Sequence, residues 1–234
     1  MSLPSTTLTI QLSRADRAQI AAQGEMITVV RSFASDGDYV VVCAAFAPFG
    51  PSNTVLLGPQ WYQYATQQPS ASGTVVQMAL SQVAAPGTLF AFTGSDFTPQ
   101  GKAYAPDVFG LANQSLDPLQ CGIAQDVCIN GAPSAIVPLV LASTPANQTS
   151  YFQPQTEVKL LLASNVQAGM LLPAGVLQPV GSTVQDKGTF TVGKYLTVDI
   201  SSNTTVYFDA VNNCFTLTPP LQQVAASSSP TLLS

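Results

Sequence analysis

Apolar runs in this chain are short, and Gly, Pro, Ser or Asn interrupts them about every 8 to 12 residues. That spacing constrains the fold more than any other feature. A run of five to nine apolar and β-branched residues between breakers fits a strand, whereas a helix needs at least ten to twelve residues of 3.6-residue periodicity. The opening segment alternates Leu8, Ile10 and Leu12 against Thr7, Thr9 and Gln11, the pattern of a half-buried strand. YVVVCAAFA (39–47) is apolar throughout and predicts a strand buried on both faces. It follows MITVVRSFA (26–34) across the turn Ser35-Asp36-Gly37-Asp38, so the two form a hairpin.

One helix is expected. Ser13 is a cap, Asp16 three residues on completes an acidic variant of the capping box, Arg17 to Gln23 make about two turns, and Gly24 stops them. Further strands are read at TVLL, WYQYAT, GTVVQMAL and TLFAFT, then at 119–130, 135–142, 156–163, 168–172, 188–200, 203–209 and 213–218. Residues 94–118 read as the longest irregular stretch. More than ten such strands with no 20–50-residue repeat predict an all-β fold. We expect an antiparallel two-sheet sandwich, jelly-roll-like, with a helix content below roughly 10 %. It fills one domain over residues 1–221, followed by an Ala/Ser-rich tail at 222–234 that is expected to fray.

Charge is scarce. Only 8 % of residues are charged, against about 25 % in an average domain. Lys and Arg number 7, Asp and Glu 12, for a formal net charge of -5. With 46 % hydrophobic residues the chain collapses rather than staying disordered. Its seven basic residues are scattered, which disfavours nucleic acid and anionic membrane surfaces as partners. The longest apolar run is about half of the ~20 residues a transmembrane helix needs. The N-terminus lacks a basic start followed by an apolar stretch, so no signal peptide is expected, and the three Asn-x-Ser/Thr sequons at Asn113, Asn147 and Asn203 read as chance occurrences.

Histidine is absent, which removes the usual general base and every Ser-His or Cys-His dyad. A carboxylate pair remains conceivable, and Asp96 and Asp107 beside Lys102 are the best one; loop acids of this kind usually cap turns. Asp36 and Asp38 supply too few oxygens for calcium. Glu157 and Lys159 share a strand face and read as ordinary surface pairing, and Asp199 and Asp209 fall within predicted strands. No catalytic residue, metal site or cofactor is expected. Of the cysteines, Cys43 lies in the most apolar run and reads as a buried thiol. Cys121, Cys128 and Cys214 neighbour Gly, Asp and Asn and are the candidates for oxidation; Cys121-x6-Cys128 fits no zinc spacing. Trp61, Tyr62 and Tyr64 are the candidate ligand-binding aromatics. On a strand, Tyr62 and Tyr64 face one way and Trp61 the other, either as a stacking surface for sugars or as core.

Several stretches taken together (LTIQLSRADRAQIAAQGEMITVV, FGPSNTVLLGPQWYQYAT, FGLANQSLDPLQCGIAQDVCINGAP and YFQPQTEVKLLLASNVQAGMLL) resemble the OCTIN-like crystal-forming proteins of mucoromycotan fungi and their bacterial relatives. The likeness spans most of residues 6 to 217 and lies in layout. It implies a structural protein that packs with itself into intracellular crystals, which in the fungi serve as dense gravity-sensing bodies in vacuoles. It also implies disulfides that help to hold a lattice, with the four cysteines as candidates and no pairing assigned. Two functions therefore stand: homo-oligomeric self-assembly, and a lectin-like or toxin-like module that binds a glycan. Scarce charge favours the first, because ordering Lys or Glu at a contact costs roughly 1.5–2 kcal/mol per side chain and short polar residues cost less.

Overall fold

The computed structural model describes residues 5–34, 37–179 and 191–220; the expected turn at Ser35 and Asp36 and the tail at 222–234 lie outside them. The chain opens with β1 (Thr6–Gln11), α1 (Arg14–Ala22), β2 (Met26–Phe33), β3 (Tyr39–Phe46) and β4 (Ser52–Thr66). β5 (Leu80–Ala84), β6 (Thr88–Phe92), β7 (Phe97–Lys102), β8 (Phe109–Asn113) and β9 (Leu119–Ile129) follow. Next come β10 (Ala135–Thr144), β11 (Thr149–Phe152), β12 (Pro154–Ser164), β13 (Leu171–Pro173) and β14 (Gln178–Pro179). The last are β15 (Thr191–Val192), β16 (Lys194–Asp199), β17 (Thr204–Asp209) and β18 (Cys214–Thr216). Strands hold 58 % of the described residues and helices 6 %, so the fold is all-β.

The helix forms where its cap predicts. The Ser13 hydroxyl accepts from the Asp16 backbone N–H at 3.1 Å, and the Asp16 carboxylate accepts from the Ser13 N–H at 2.7 Å. Such a box stabilises a first turn by about 1 kcal/mol. Gly24 ends it at φ 66°, a conformation that costs glycine little.

Among the described residues three sheets result. One runs β10-β9-β4-β1-β17-β18 with β5 also on β4; another runs β13-β3-β2-β12-β16-β14 with β15 on β12; a four-stranded sheet runs β11-β8-β6-β7. Most pairs are antiparallel, but β1–β17, β6–β8 and β14–β16 are parallel. The sequence predicts two antiparallel sheets, whereas the described strands form three, with these three pairings parallel. The N-terminal strand lies beside one from the far end of the chain, a pairing that no local pattern encodes.

One hydrophobic cluster draws from all three sheets, through Ile10, Val206 and Phe208 of the first, Val29 and Leu160 of the second and Phe109 of the third. β2, β3 and β12 are buried on their other face too, where Val30, Val42 and Leu161 pack with Leu172 and Val176. That second layer is why 39–47 is apolar throughout. A register shift lets Val29 pair with Ala44 and Val30 with Val42. Cys43 is therefore the extra residue of a bulge, and it joins Ala44 in the main core.

Elsewhere the local pattern misleads. TVLL and WYQYAT belong to one 15-residue strand whose register shifts between Leu57 and Trp61, so Gly58-Pro59 marks a bulge and not an end. Residues 73–79 form no strand beyond the isolated Val75–Met170 bridge, though backbone hydrogen bonds tie them to Gly169, Leu171 and Ala65. The stretch 94–118 holds β7 and β8. Apart from Phe97, β7 is exposed along its length, and an edge strand with Pro99 and Gly101 shows no alternation to read.

Candidate functional site

Trp61 and Tyr64 are buried, at 1 % and 0 % exposure. They leave the chain on opposite faces of β4, as expected. The Trp61 ring packs on Phe109 with centroids 5.3 Å apart, and the Arg31 guanidinium stacks on it at 4.9 Å. On the other face the Tyr64 hydroxyl donates to the Val140 carbonyl at 2.8 Å, and burial raises its pKa well above the ordinary phenol value. A buried ring offers no face to a sugar. Tyr62 alone of the three is partly exposed, so WYQYAT is core and not a stacking platform.

Arg31 is an unusual core residue. Its Nη1 donates to Gln125 Oε1 at 3.1 Å and its Nη2 to the Gln155 carbonyl at 3.3 Å, both neutral acceptors. Burial lowers its pKa to about 10, with the nearby Cys43 thiol opposing the shift. The side chain therefore stays charged at neutral pH. Arg31 Nε, Trp61 Nε1 and both amide atoms of Gln63 are buried without a hydrogen-bond partner among the described residues. The facing inner surfaces of the two large sheets thus meet across a polar seam inside an apolar core.

All four thiols are free. Cys43 is fully buried, and burial pushes its pKa up to about 12. Burial also raises Cys121 to about 11, against the Thr144 hydroxyl at 3.0 Å. Cys214 is buried and raised, first by burial and then by Asp209. Cys128 is partly exposed, its Sγ 2.8 Å from the Ala132 carbonyl. Seven positions along β9 separate Cys121 from Cys128 by roughly 23 Å, far beyond disulfide reach. The expectation that Cys121 and Cys214 are oxidation candidates is weakened by that burial, which Gly and Asp neighbours in sequence do not reveal. We expect a maleimide at pH 8 to label Cys128 first in the native protein and all four only after denaturation, because thiolate and access both set the rate. Mass-spectrometric mapping that found Cys43 or Cys121 labelled as fast as Cys128 would contradict the packing.

Asp96 and Asp107 do not converge. Asp96 accepts from the Phe97 N–H at 2.7 Å in the turn after β6, and Asp107 accepts from Gln153 Nε2 at 2.7 Å before β8. Given the parallel β6–β8 register, they lie at opposite ends of the small sheet, roughly 20 Å apart. Glycoside hydrolysis needs its two carboxyls within about 5–9.5 Å. Lys102 sits opposite Thr88. Glu157 pairs with Asp199 across β12 and β16, while Lys159 lies 5.5 Å from the Tyr195 ring centroid. The Ser201 backbone N–H holds Asp199 below the usual carboxylate range, and the Asn212 side chain does the same for Asp209. Among the described residues no three His, Cys, Asp or Glu side chains gather as a metal site would require. Among them, too, no helix is long and apolar enough to cross a membrane.

Two surface features remain. A groove of about 660 Å³ runs along the outer strand β10, between it, β11 and the loop before β3. Large apolar side chains also stand in solvent, foremost Leu116 at 94 %, Phe49 at 84 % and Val211 at 81 % exposure. Phe49 precedes β4 and Val211 follows β17. Gln11 at the end of β1 lies opposite Ser52 and beside Tyr207, so both residues sit at that end of the sheet. Leu116 precedes Leu119, which pairs with Thr144, and Gln120, which pairs with Thr66; that is the opposite end. Sequence reading missed these tips because single apolar residues in turns carry no pattern. No family model, curated protein or solved structure matches the chain.

Proposed function

We propose that this chain is a non-enzymatic structural protein that assembles with copies of itself into ordered bodies, the function its OCTIN-like resemblance implies. The observation that carries this is the placing of bare apolar tips at both ends of the long sheet, Phe49 and Val211 at one and Leu116 at the other. Different patches at opposite ends make a head-to-tail contact, which repeats without closing. A surface with 8 % charged residues in the whole chain opposes such contacts little. In this reading the two large sheets form the layers of a jelly-roll-like sandwich around the shared core. Cys128, the accessible thiol, is the residue we assign to any intermolecular disulfide. A dense gravity-sensing vacuolar crystal is the particular form the resemblance implies. The carbohydrate-binding alternative moves from the buried aromatics to the groove along β10.

Charge sets the expected pH dependence. With no histidine, no side chain of ordinary pKa titrates between about 5.5 and 7.5, so association should be flat there. Below that window Glu25 protonates early, since burial raises its pKa, while Asp199 and Asp209, lowered by their hydrogen bonds, stay charged below the ordinary carboxylate range. The formal -5 shrinks towards zero near the pI of about 4.3, and repulsion between copies falls with it. Light scattering from pH 7.5 to 4.5 at fixed ionic strength should stay level and then rise. Scattering that remains at the monomer value throughout, at high protein concentration, would count against assembly. An acidic vacuole would favour the packed state.

A further inference from the structure

We propose that the groove along β10 binds a neutral saccharide, a ligand distinct from the self-contacts above. Its chemistry is selective. Asp38, Tyr39, Ser70, Gln120, Ser143 and Tyr151 line it together with apolar residues of β10 and β11, and among the described residues no Lys or Arg lines it. A site for phosphate, nucleic acid or a carboxylated sugar needs cationic donors. What this groove offers is an aromatic surface, one carboxylate and several hydroxyl and amide groups, the set that suits an uncharged polyhydroxylated ring.

Its parts are held in place. Tyr151, 41 % exposed, is one of the lining residues, and its ring meets the Tyr104 ring edge-on with centroids 4.9 Å apart and planes at 77°. Ser70 Oγ donates to Gln120 Oε1 at 3.1 Å and orients that amide. Ser150 Oγ and Thr144 Oγ1 are hydrogen-bonded at 2.6 Å, with the Cys121 thiol behind Thr144. Asp38 is exposed at the rim as an acceptor for vicinal hydroxyls. Among the described residues it is the one carboxylate in the lining, where it serves to hold a ligand. An added peptide strand fits less well. The register shift between Pro138 and Val140, and the capture of the Val140 carbonyl by Tyr64, interrupt the backbone row such a strand would need.

The test uses the full chain at pH 7.5 and low concentration, labelled and applied to an array of neutral and acidic glycans. Lactose, chitotriose and mannotriose are also titrated by protein-observed NMR. The result expected is saturable binding of at least one neutral probe, weakened at least tenfold by Tyr151→Ala and by Asp38→Asn, with unchanged far-ultraviolet spectra and melting temperature. Phe49→Ser should leave it unaltered. Blank neutral glycans overturn the proposal, as does binding that both groove variants leave intact. So does preference for an uncharged extended heptapeptide that shifts β10 amides, which would make the groove a strand acceptor. None of these outcomes bears on whether the chain assembles.

Discussion

Gly122→Ala should be the most damaging glycine-to-alanine change among the described residues, lowering stability by about 2–4 kcal/mol. Gly122 lies on β9, opposite Tyr64 of β4 on one side and Leu141 of β10 on the other. A Cβ there would overlap the Val140 carbonyl oxygen and stand 2.8 Å from Tyr64 Oη and 2.9 Å from its Cε1. The carbonyl belongs to backbone and cannot rotate aside. Tyr64 is fully buried, and its hydroxyl bond to Val140 closes the same space. Overpacking costs about 1–3 kcal/mol, and breaking the buried hydrogen bond adds about 1. In a chain of this size that is a fall in melting temperature of roughly 10 °C, readable by circular dichroism. Gly175→Ala is the control, since a Cβ there meets nothing within 4 Å; we expect less than about 0.5 kcal/mol. Equal effects at the two positions would mean that the β4–β9–β10 packing is wrong.

Replacing Phe49, Leu116 and Val211 together by Ser should cut self-association on the order of 10²–10³-fold while leaving the fold as stable as before. Each of these side chains is more than four-fifths exposed, so the isolated protein gains little from them. In a head-to-tail contact each would bury apolar area worth about 1–2 kcal/mol. Three together, discounted for imperfect burial, give roughly 3–4 kcal/mol, or two to three powers of ten. Because Phe49 and Val211 belong to one end and Leu116 to the other, mixing a Leu116→Ser protein with a Phe49→Ser/Val211→Ser protein should restore a single contact and yield pairs without long assemblies. Sedimentation velocity separates those outcomes. Triple-variant assemblies as large as the parent's would remove the tips from the account.

What could be read from sequence was whatever is local. The Ser13–Asp16 box, the alternation in β1 and the doubly buried β3 rest on spacings within ten residues, and each appears in the structure. Placing Trp61 and Tyr64 on opposite faces also followed from strand period alone. Which face was buried did not, because it depends on Phe109 and Arg31 on one side and on Val140 on the other. The third sheet was missed because β7 and β11 are edges with few apolar residues, and an edge needs no pattern to pair on one side. Parallel pairing of β1 with β17 joins positions almost 200 residues apart. The groove was invisible for the same reason, being assembled from Asp38, Ser70, Gln120, Ser143 and Tyr151, which no short window contains.

The central claim is that purified protein packs with itself in the absence of any ligand. Electron microscopy of concentrated protein brought from pH 7.5 to about pH 5 tests it most directly. The account predicts ordered arrays with a regular repeat, absent from the Phe49/Leu116/Val211 Ser variant prepared in parallel. Dispersed single particles at every pH, or amorphous aggregate that the triple variant forms equally well, would contradict it.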